Sequence, residues 1–265
     1  MPFVNGNGIA IYYQRRGQGA PLLFISGSGG DLRNKPNQFD SPLTQHFELI
    51  GYDQRGLGQT AQPDADYTMA EYADDAAGLL DALQLDRVPV MGVSFGGMVA
   101  QEFALRHPER VKCLVLACTS AGGEGGASYP LHELQDLAPR EKAEKHLTIA
   151  DRRQTADWIA EHPDAWERRV QMSLAAAGPD GVSAGARRQL QARRHHDTYR
   201  RLPELAVPVL LAGGEFDGIA PPENMRALAR QISGSELEFF SGGHMFLVQD
   251  KRAYPFIAEW LLAKA

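Results

Sequence analysis

The chain predicts an α/β fold: a mostly parallel eight-stranded sheet with helices on both faces and one inserted block of helices. Three observations predict it. Apolar, strand-like runs alternate with stretches of helical period, the pattern of parallel strands joined by right-handed crossovers. Several of those runs are apolar throughout, as strands buried on both faces must be. The alternation also stops at about Thr119 and resumes near Val207, which marks an insertion. At 265 residues the chain suffices for one large domain carrying an inserted subdomain.

The elements follow in order. Phe3-Val4, the turn signal Asn5-Gly6-Asn7-Gly8 and Ile9–Tyr13 read as a hairpin that starts an antiparallel edge. Pro21–Ile25 is a buried strand emptying into Ser26-Gly27-Ser28-Gly29-Gly30, and Glu48–Tyr52 is the next, ending at Asp53-Gln54-Arg55-Gly56-Leu57-Gly58. Residues 31–45 between them are read as weakly helical. Thr68 is an N-cap for a helix to Leu83, with Met69, Tyr72, Ala73, Ala76, Leu79, Leu80 and Leu83 at helical spacing. Val88–Met91 is a strand, Met98–His107 a helix and Cys113–Cys118 another buried strand. From there to about Leu202 the sequence is polar, Arg-rich and helical in period, so residues 1–120 and 203–265 are read as core and 121–202 as a helical cap. Val207–Leu211, a helix from Pro222 to Ile232, Leu237–Phe240 and a final helix from Phe246 to Ala263 complete the alternation.

Composition excludes some classes. A net charge of −6 gives no electrostatic reason to expect nucleic acid or an anionic membrane as partner. No apolar run approaches the roughly 20 residues that span a bilayer, and Met1-Pro2-Phe3-Val4-Asn5 lacks a basic region followed by an apolar core, so a cytoplasmic location is expected. Cys113 and Cys118 lie on one extended run, about 16 Å apart against the roughly 7 Å limit for a disulfide, and are read as reduced core residues. No Cys/His cluster has zinc-site spacing, and neither metal nor cofactor is expected. Monomer and homodimer both stay open.

The chemistry is carried by Gly92-Val93-Ser94-Phe95-Gly96-Gly97, which joins a strand to a helix. A serine on so sharp a turn is strained, with its hydroxyl projecting from the sheet edge, and side chains at the flanking glycines would collide. Ser94 is the candidate nucleophile. It needs a base, and the base an acid that fixes its tautomer, both at the carboxyl ends of strands. Two loops qualify: Ala212-Gly213-Gly214-Glu215-Phe216-Asp217-Gly218 after one strand and Ser241-Gly242-Gly243-His244-Met245 after the next. His244 is the expected base and Asp217 its partner, with Glu215 the competing acid. A tetrahedral intermediate also needs two donors, assigned to the amides of Phe95 and Ser28. Gly27 lies beside Ser28 in the same loop, where the lack of a side chain lets backbone approach substrate.

With these residues the chain resembles the α/β-hydrolase superfamily over nearly its whole length, in the subgroup with a helical cap between the sixth and seventh core strands. Gly92–Gly97, Asp53–Gly58, Gly213–Asp217 and Gly243-His244 fall where that family places its elbow, post-strand turn, acid loop and histidine loop, in the order serine, acid, histidine. Family members commonly carry His-Gly before the oxyanion residue, where this chain has Ser26-Gly27. Gly96–Gln101 and Ala104–Val111 are similar to enol-lactone hydrolases and small-molecule carboxylesterases. The resemblance implies a serine hydrolase of small carboxylic esters or lactones that works without a cofactor on a small-molecule substrate. The same triad also serves C–C bond and thioester hydrolysis, whereas epoxide hydrolysis and dehalogenation use an aspartate at the nucleophile position. A non-catalytic ligand-binding protein on this fold is the alternative of another class.

Asp53 and Arg55 are read as structural, a turn and an ion pair at the site edge. Trp158, Trp166 and Met172 are candidates to line a pocket between cap and core, set against a role in the cap's own core. His132, His146, His162, His195 and His196 are read as surface or cap residues. Tyr129 and the loop Gly122–Gly126 are candidate mobile entry elements.

Overall fold

The computed structural model describes residues 2–177 and 183–265. Eight strands form one sheet: β1 Phe3–Gly6, β2 Ile9–Gly17, β3 Ala20–Ile25, β4 Phe47–Tyr52, β5 Val88–Val93, β6 Val111–Ala117, β7 Val209–Gly214 and β8 Glu236–Phe240. Their order is β1-β2-β4-β3-β5-β6-β7-β8. β2 runs antiparallel to β1 and to β4, and every pairing from β4 onward is parallel.

The unbroken apolar runs have a direct explanation in the packing. Along β3, Leu23 and Ile25 enter the core on one face while Leu22 and Phe24 enter the core on the other. β6 divides in the same way, with Leu114 and Leu116 on the first face and Cys113, Val115 and Ala117 on the second. A period of two with both faces covered leaves no position for a polar residue. The first face is covered by α1 (Met69–Ala82), α2 (Phe95–Arg106) and α7 (Pro222–Gln231), the second by α9 (Ala253–Lys264). Thr68 caps α1 as its sequence predicts. Its hydroxyl accepts from the Glu71 amide while the Glu71 carboxylate accepts from the Thr68 amide, a reciprocal capping box.

The chain leaves β3 over one face, through Phe39 and Leu43, to reach β4 on one side, and leaves β5 over the other face, through α2, to reach β6 on the opposite side. The neighbours β3 and β5 therefore send their outgoing loops in opposite directions, which opens a crevice at their carboxyl ends. Ser26–Gly30 and the turn at Ser94 flank that crevice.

Between β6 and β7 the described residues form α3 (Pro139–Ala150), α4 (Ala156–Glu161), α5 (Pro163–Ala177) and α6 (Ala184–Arg194), with no strand among them. A single antiparallel bridge, Gly122 to Asp197, ties the start of this segment to its end. No helix among the described residues is long and apolar enough to cross a membrane.

Three elements differ from expectation. Residues 31–45 hold two 3₁₀ turns, Gln38–Asp40 and Pro42–Gln45, in place of an α-helix, because Asn37 and Asp40 cap each other and Pro42 cannot donate into a continuing helix. β7 runs three residues beyond the apolar run Val207–Leu211, since Ala212, Gly213 and Gly214 pair with Glu238, Phe239 and Phe240, so the acid loop begins at Glu215. The final helix is broken into α8 (Phe246–Gln249) and α9 at Asp250. That carboxylate accepts from the amides of Ser241 and Arg252, a local satisfaction of backbone donors that competes with helix continuation.

Candidate active site

The turn at Ser94 has the geometry its glycines require. Ser94 sits at φ 55°, ψ −117°, outside the regions open to ordinary L-residues. A Cβ at Gly96 would stand 2.1 Å from the Ile25 carbonyl oxygen, and one at Gly92 2.3 Å from that of Gly96. The turn is pinned from β6, whose Ala117 carbonyl accepts from the Ser94 amide at 2.8 Å, and the Thr119 hydroxyl donates to the Ser94 carbonyl at 2.8 Å.

Two loops converge on the Ser94 hydroxyl. His244 Nε2 lies 2.9 Å from Ser94 Oγ, and His244 Nδ1 lies 2.8 Å from Asp217 Oδ2. A carboxylate only accepts, so Nδ1 carries the proton and Nε2 presents its lone pair to the serine. Asp217 is fully buried, and its other oxygen accepts from the amides of Ile219 at 2.7 Å and Ala220 at 2.9 Å. The structure thus brings together Ser94, His244 and Asp217, residues 150 and 27 positions apart along the chain. Glu215 is exposed and makes no contact with His244 among those resolved.

The end of α3 holds both loops. The Gly218 amide donates to the Ile149 carbonyl at 2.9 Å, the His244 amide to Ala150 at 2.6 Å, and the Arg152 amide to Phe216 at 2.9 Å. Gln249 reinforces the histidine loop, accepting from the Gly243 amide at 2.7 Å and donating to Asp151 at 3.2 Å.

The amide of Phe95 is the first of α2 and has no intrahelical acceptor, and that of Ser28 donates to no acceptor among the described residues. Gly27 faces Ser94 directly, since a Cβ on it would lie 3.5 Å from Ser94 Cβ. A cavity of about 470 Å³ opens beside this loop, between Ser28 and Gly29 on one side and Leu134, Lys142, His146 and Gln189 on the other.

Trp158, Trp166 and Met172 are not in that cavity's wall. Trp166 packs with Ala143 and Val170 in a small core of the helical segment, Trp158 lies against that core and stacks on His162, and Met172 is 72% exposed. Their helical spacing reports that local core. The cavity wall instead includes Lys142 and His146, one turn apart on α3, and Gln189 of α6. Burial, then the charges of His244 and Lys142, hold the His146 imidazole below its ordinary pKa. The only sequence signal for this face was the Lys142/His146 spacing of four, and nothing local shows that it meets the core.

Asp53 and Arg55 serve the edge separately. Asp53 accepts from the amides of Leu32 and Gln59, while Arg55 pairs with Asp75 and Glu71. The Gly122–Gly126 loop and Tyr129, expected as entry elements, are tied down by the bridge to Asp197 and by the Tyr129 amide on the Ile219 carbonyl at 2.7 Å. Cys118, Asp217 and His244 offer three potential metal-ligand atoms within 4.8 Å of one another. Burial, with Asp217 adding to it, pushes the Cys118 thiol well up and so keeps it protonated, and the other two groups are committed to each other and to the backbone. This donor set suits a proton relay better than a metal.

The fold and this constellation define a class, and comparison agrees: the chain belongs to the alpha/beta hydrolase fold family, whose model matches residues 20–251. Among curated proteins it is similar to a poly(3-hydroxyalkanoate) depolymerase of Ectopseudomonas oleovorans, 31% identical over 91% of this chain and 84% of the relative. It is also similar to 3-oxoadipate enol-lactonase 2 of Acinetobacter baylyi, 27% identical over 97% and 94%. Among solved structures, a thermophilic esterase from Thermogutta terrifontis superposes with a TM-score of 0.74 at 27% identity, covering 98% of this chain and 97% of that one.

Proposed function

We propose that this hydrolase cleaves small carboxylic esters or lactones through an acyl-enzyme on Ser94. The observation that carries the reading is the unbroken relay from Ser94 Oγ through His244 to the buried Asp217, with contacts of 2.9 and 2.8 Å. In the first step Ser94 Oγ attacks the carbonyl carbon as its proton passes to His244 Nε2, and Asp217 stabilises the imidazolium. The carbonyl electron pair moves onto oxygen, where the Phe95 and Ser28 amides receive it. Collapse of the intermediate breaks the bond to the alkoxide, which takes the proton from His244. Water, deprotonated by the same imidazole, then attacks the acyl-enzyme and releases the acid.

Residues 121–202 act as a lid over the core formed by 1–120 and 203–265, and the bonds from Ile149 and Ala150 to the acid and histidine loops support that division. The names of the enol-lactonase and esterase relatives support an ester or lactone substrate. The substrate is a small molecule taken into the cavity beside Ser28. Turnover of short and long aryl esters, lactones, thioesters and vinylogous diketones tests the class. Esters or lactones are expected to be preferred, and activity confined to the diketones replaces this reading with C–C hydrolysis.

A further inference from the structure

The wall of the cavity beside Ser28 is not balanced in charge. Among its described side chains Asp31 is the one carboxylate, while Arg33 and Lys142 are cations. Asp31 is already answered, since both its oxygens accept from the Arg33 guanidinium, the shortest contact being 2.6 Å. Lys142 pairs with no carboxylate among the described residues, in a chain whose net charge is −6.

Two neighbours place the Lys142 ammonium on the cavity side of α3. Its Nζ donates to Gln135 Oε1 at 3.2 Å, and Gln135 belongs to the same wall. Its charge also acts on His146, one turn further along α3 and again in the wall. Lys142 is half-buried and His146, though enclosed by neighbouring segments, keeps exposed surface, so both are open to a molecule in the cavity. An ammonium has three donors and Gln135 takes one. Burial draws the Lys142 pKa below the ordinary lysine value, and no carboxylate counters it. An anion entering the cavity supplies that countercharge.

α3 also fixes where on a substrate the anion belongs. The Ala150 carbonyl, at the end of this helix, accepts from the His244 amide. Lys142 lies two turns before Ala150, about 12 Å along the axis at 1.5 Å per residue. The negative group is therefore remote from the carbonyl that Ser94 attacks.

We propose that the Ser94 site takes esters or lactones carrying a carboxylate at the end away from the scissile bond, and that Lys142 selects them by pairing with it. His146, whose ring has no hydrogen-bond partner among the described residues, adds a neutral donor beside the same carboxylate. This inference rests on the ester or lactone reading of Ser94.

The test compares the 4-nitrophenyl monoester of suberic acid, which keeps a free carboxylate, with 4-nitrophenyl octanoate, neutral and of equal chain length, at pH 7 and constant ionic strength. The ratio of kcat/KM for the anionic over the neutral ester is expected to fall about tenfold in Lys142→Gln, mainly through KM. It should hold in Lys142→Arg, which keeps the charge, and in Lys145→Gln, which removes an equal charge from an exposed position of α3 outside the wall. An unmoved ratio in Lys142→Gln, or an equal fall in Lys145→Gln, overturns the proposal. Calorimetric titration of the Ser94→Ala chain with monomethyl suberate reads the contact without turnover. Adding Lys142→Gln is expected to weaken that binding about tenfold, and unchanged affinity overturns the proposal. If neither ester is cleaved while this loss is seen, the ester reading of Ser94 fails and the anion contact stands. If both esters are cleaved and the ratio does not move, the anion contact fails and the ester reading stands.

Discussion

The Gly29 amide donates to Gln189 Oε1 across 2.8 Å, binding the loop after β3 to helix α6, 160 residues later in the chain. Gln189 is wholly buried, so this contact has no solvent competitor. Gly29 follows Ser28, and the contact therefore sets where the Ser28 amide points. Gln189→Leu removes the acceptor and is expected to lower kcat about tenfold with little change in KM, the cost of one misaligned oxyanion donor at ~1–2 kcal/mol. Steady-state kinetics on a soluble aryl ester read the split.

Strain at Ser94 makes a prediction of opposite sign for stability. Its φ of 55° and ψ of −117° cost a residue with a Cβ of order 1–3 kcal/mol, a cost glycine avoids. Both Ser94→Ala and Ser94→Gly delete the hydroxyl, yet only the second relieves the backbone. Urea unfolding should find Ser94→Gly more stable than Ser94→Ala by about 1 kcal/mol, against the usual order for a loop-to-helix position.

Arg55 joins the turn after β4 to α1 through a two-pronged pair with Asp75, at 2.6 and 2.7 Å. Asn7 donates to the same carboxylate at 2.9 Å, and both charged groups are buried. Arg55→Ala strands Asp75, whose carboxyl burial already raises, and should cost about 3–5 kcal/mol. The double variant Arg55→Met with Asp75→Leu strands no charge and should recover most of that loss. Midpoints of urea denaturation compare the three proteins.

His196 supplies a pH dependence. Its folded pKa is drawn to about 3, below the ordinary 6.5, so between those values the unfolded chain binds the extra proton. Stability therefore falls as pH drops through this window, approaching ~1.4 kcal/mol per pH unit from this group alone. His196→Gln should flatten the slope of unfolding free energy between pH 6 and 4, measured by urea denaturation.

What was legible in the sequence followed from local rules. Strands with both faces buried show as unbroken apolar runs, Thr68 and Glu71 announce a capping box, and the glycines around Ser94 mark a backbone that admits no side chain. Asp217 and His244 stood out because glycine-rich loops follow their strands. What was not legible depends on docking. Trp158 and Trp166 have a periodicity that says they are buried, but not against what, and they face their own segment. Lys142, His146 and Gln189 reach the cavity only because α3 and α6 lie over the sheet edge, which no local pattern records. The break at Asp250 was hidden likewise, since it depends on a carboxylate reaching the Ser241 amide nine residues back.

The central claim is that Ser94 Oγ is the nucleophile activated by His244. Treatment with a fluorophosphonate, followed by peptide mass mapping, tests it most directly. The wild-type chain is expected to gain one adduct on the peptide carrying Ser94, Ser94→Ala none, and His244→Ala to label at least ~10³-fold more slowly. A wild-type chain that stays unlabelled, or a Ser94→Ala chain that labels equally, contradicts the account.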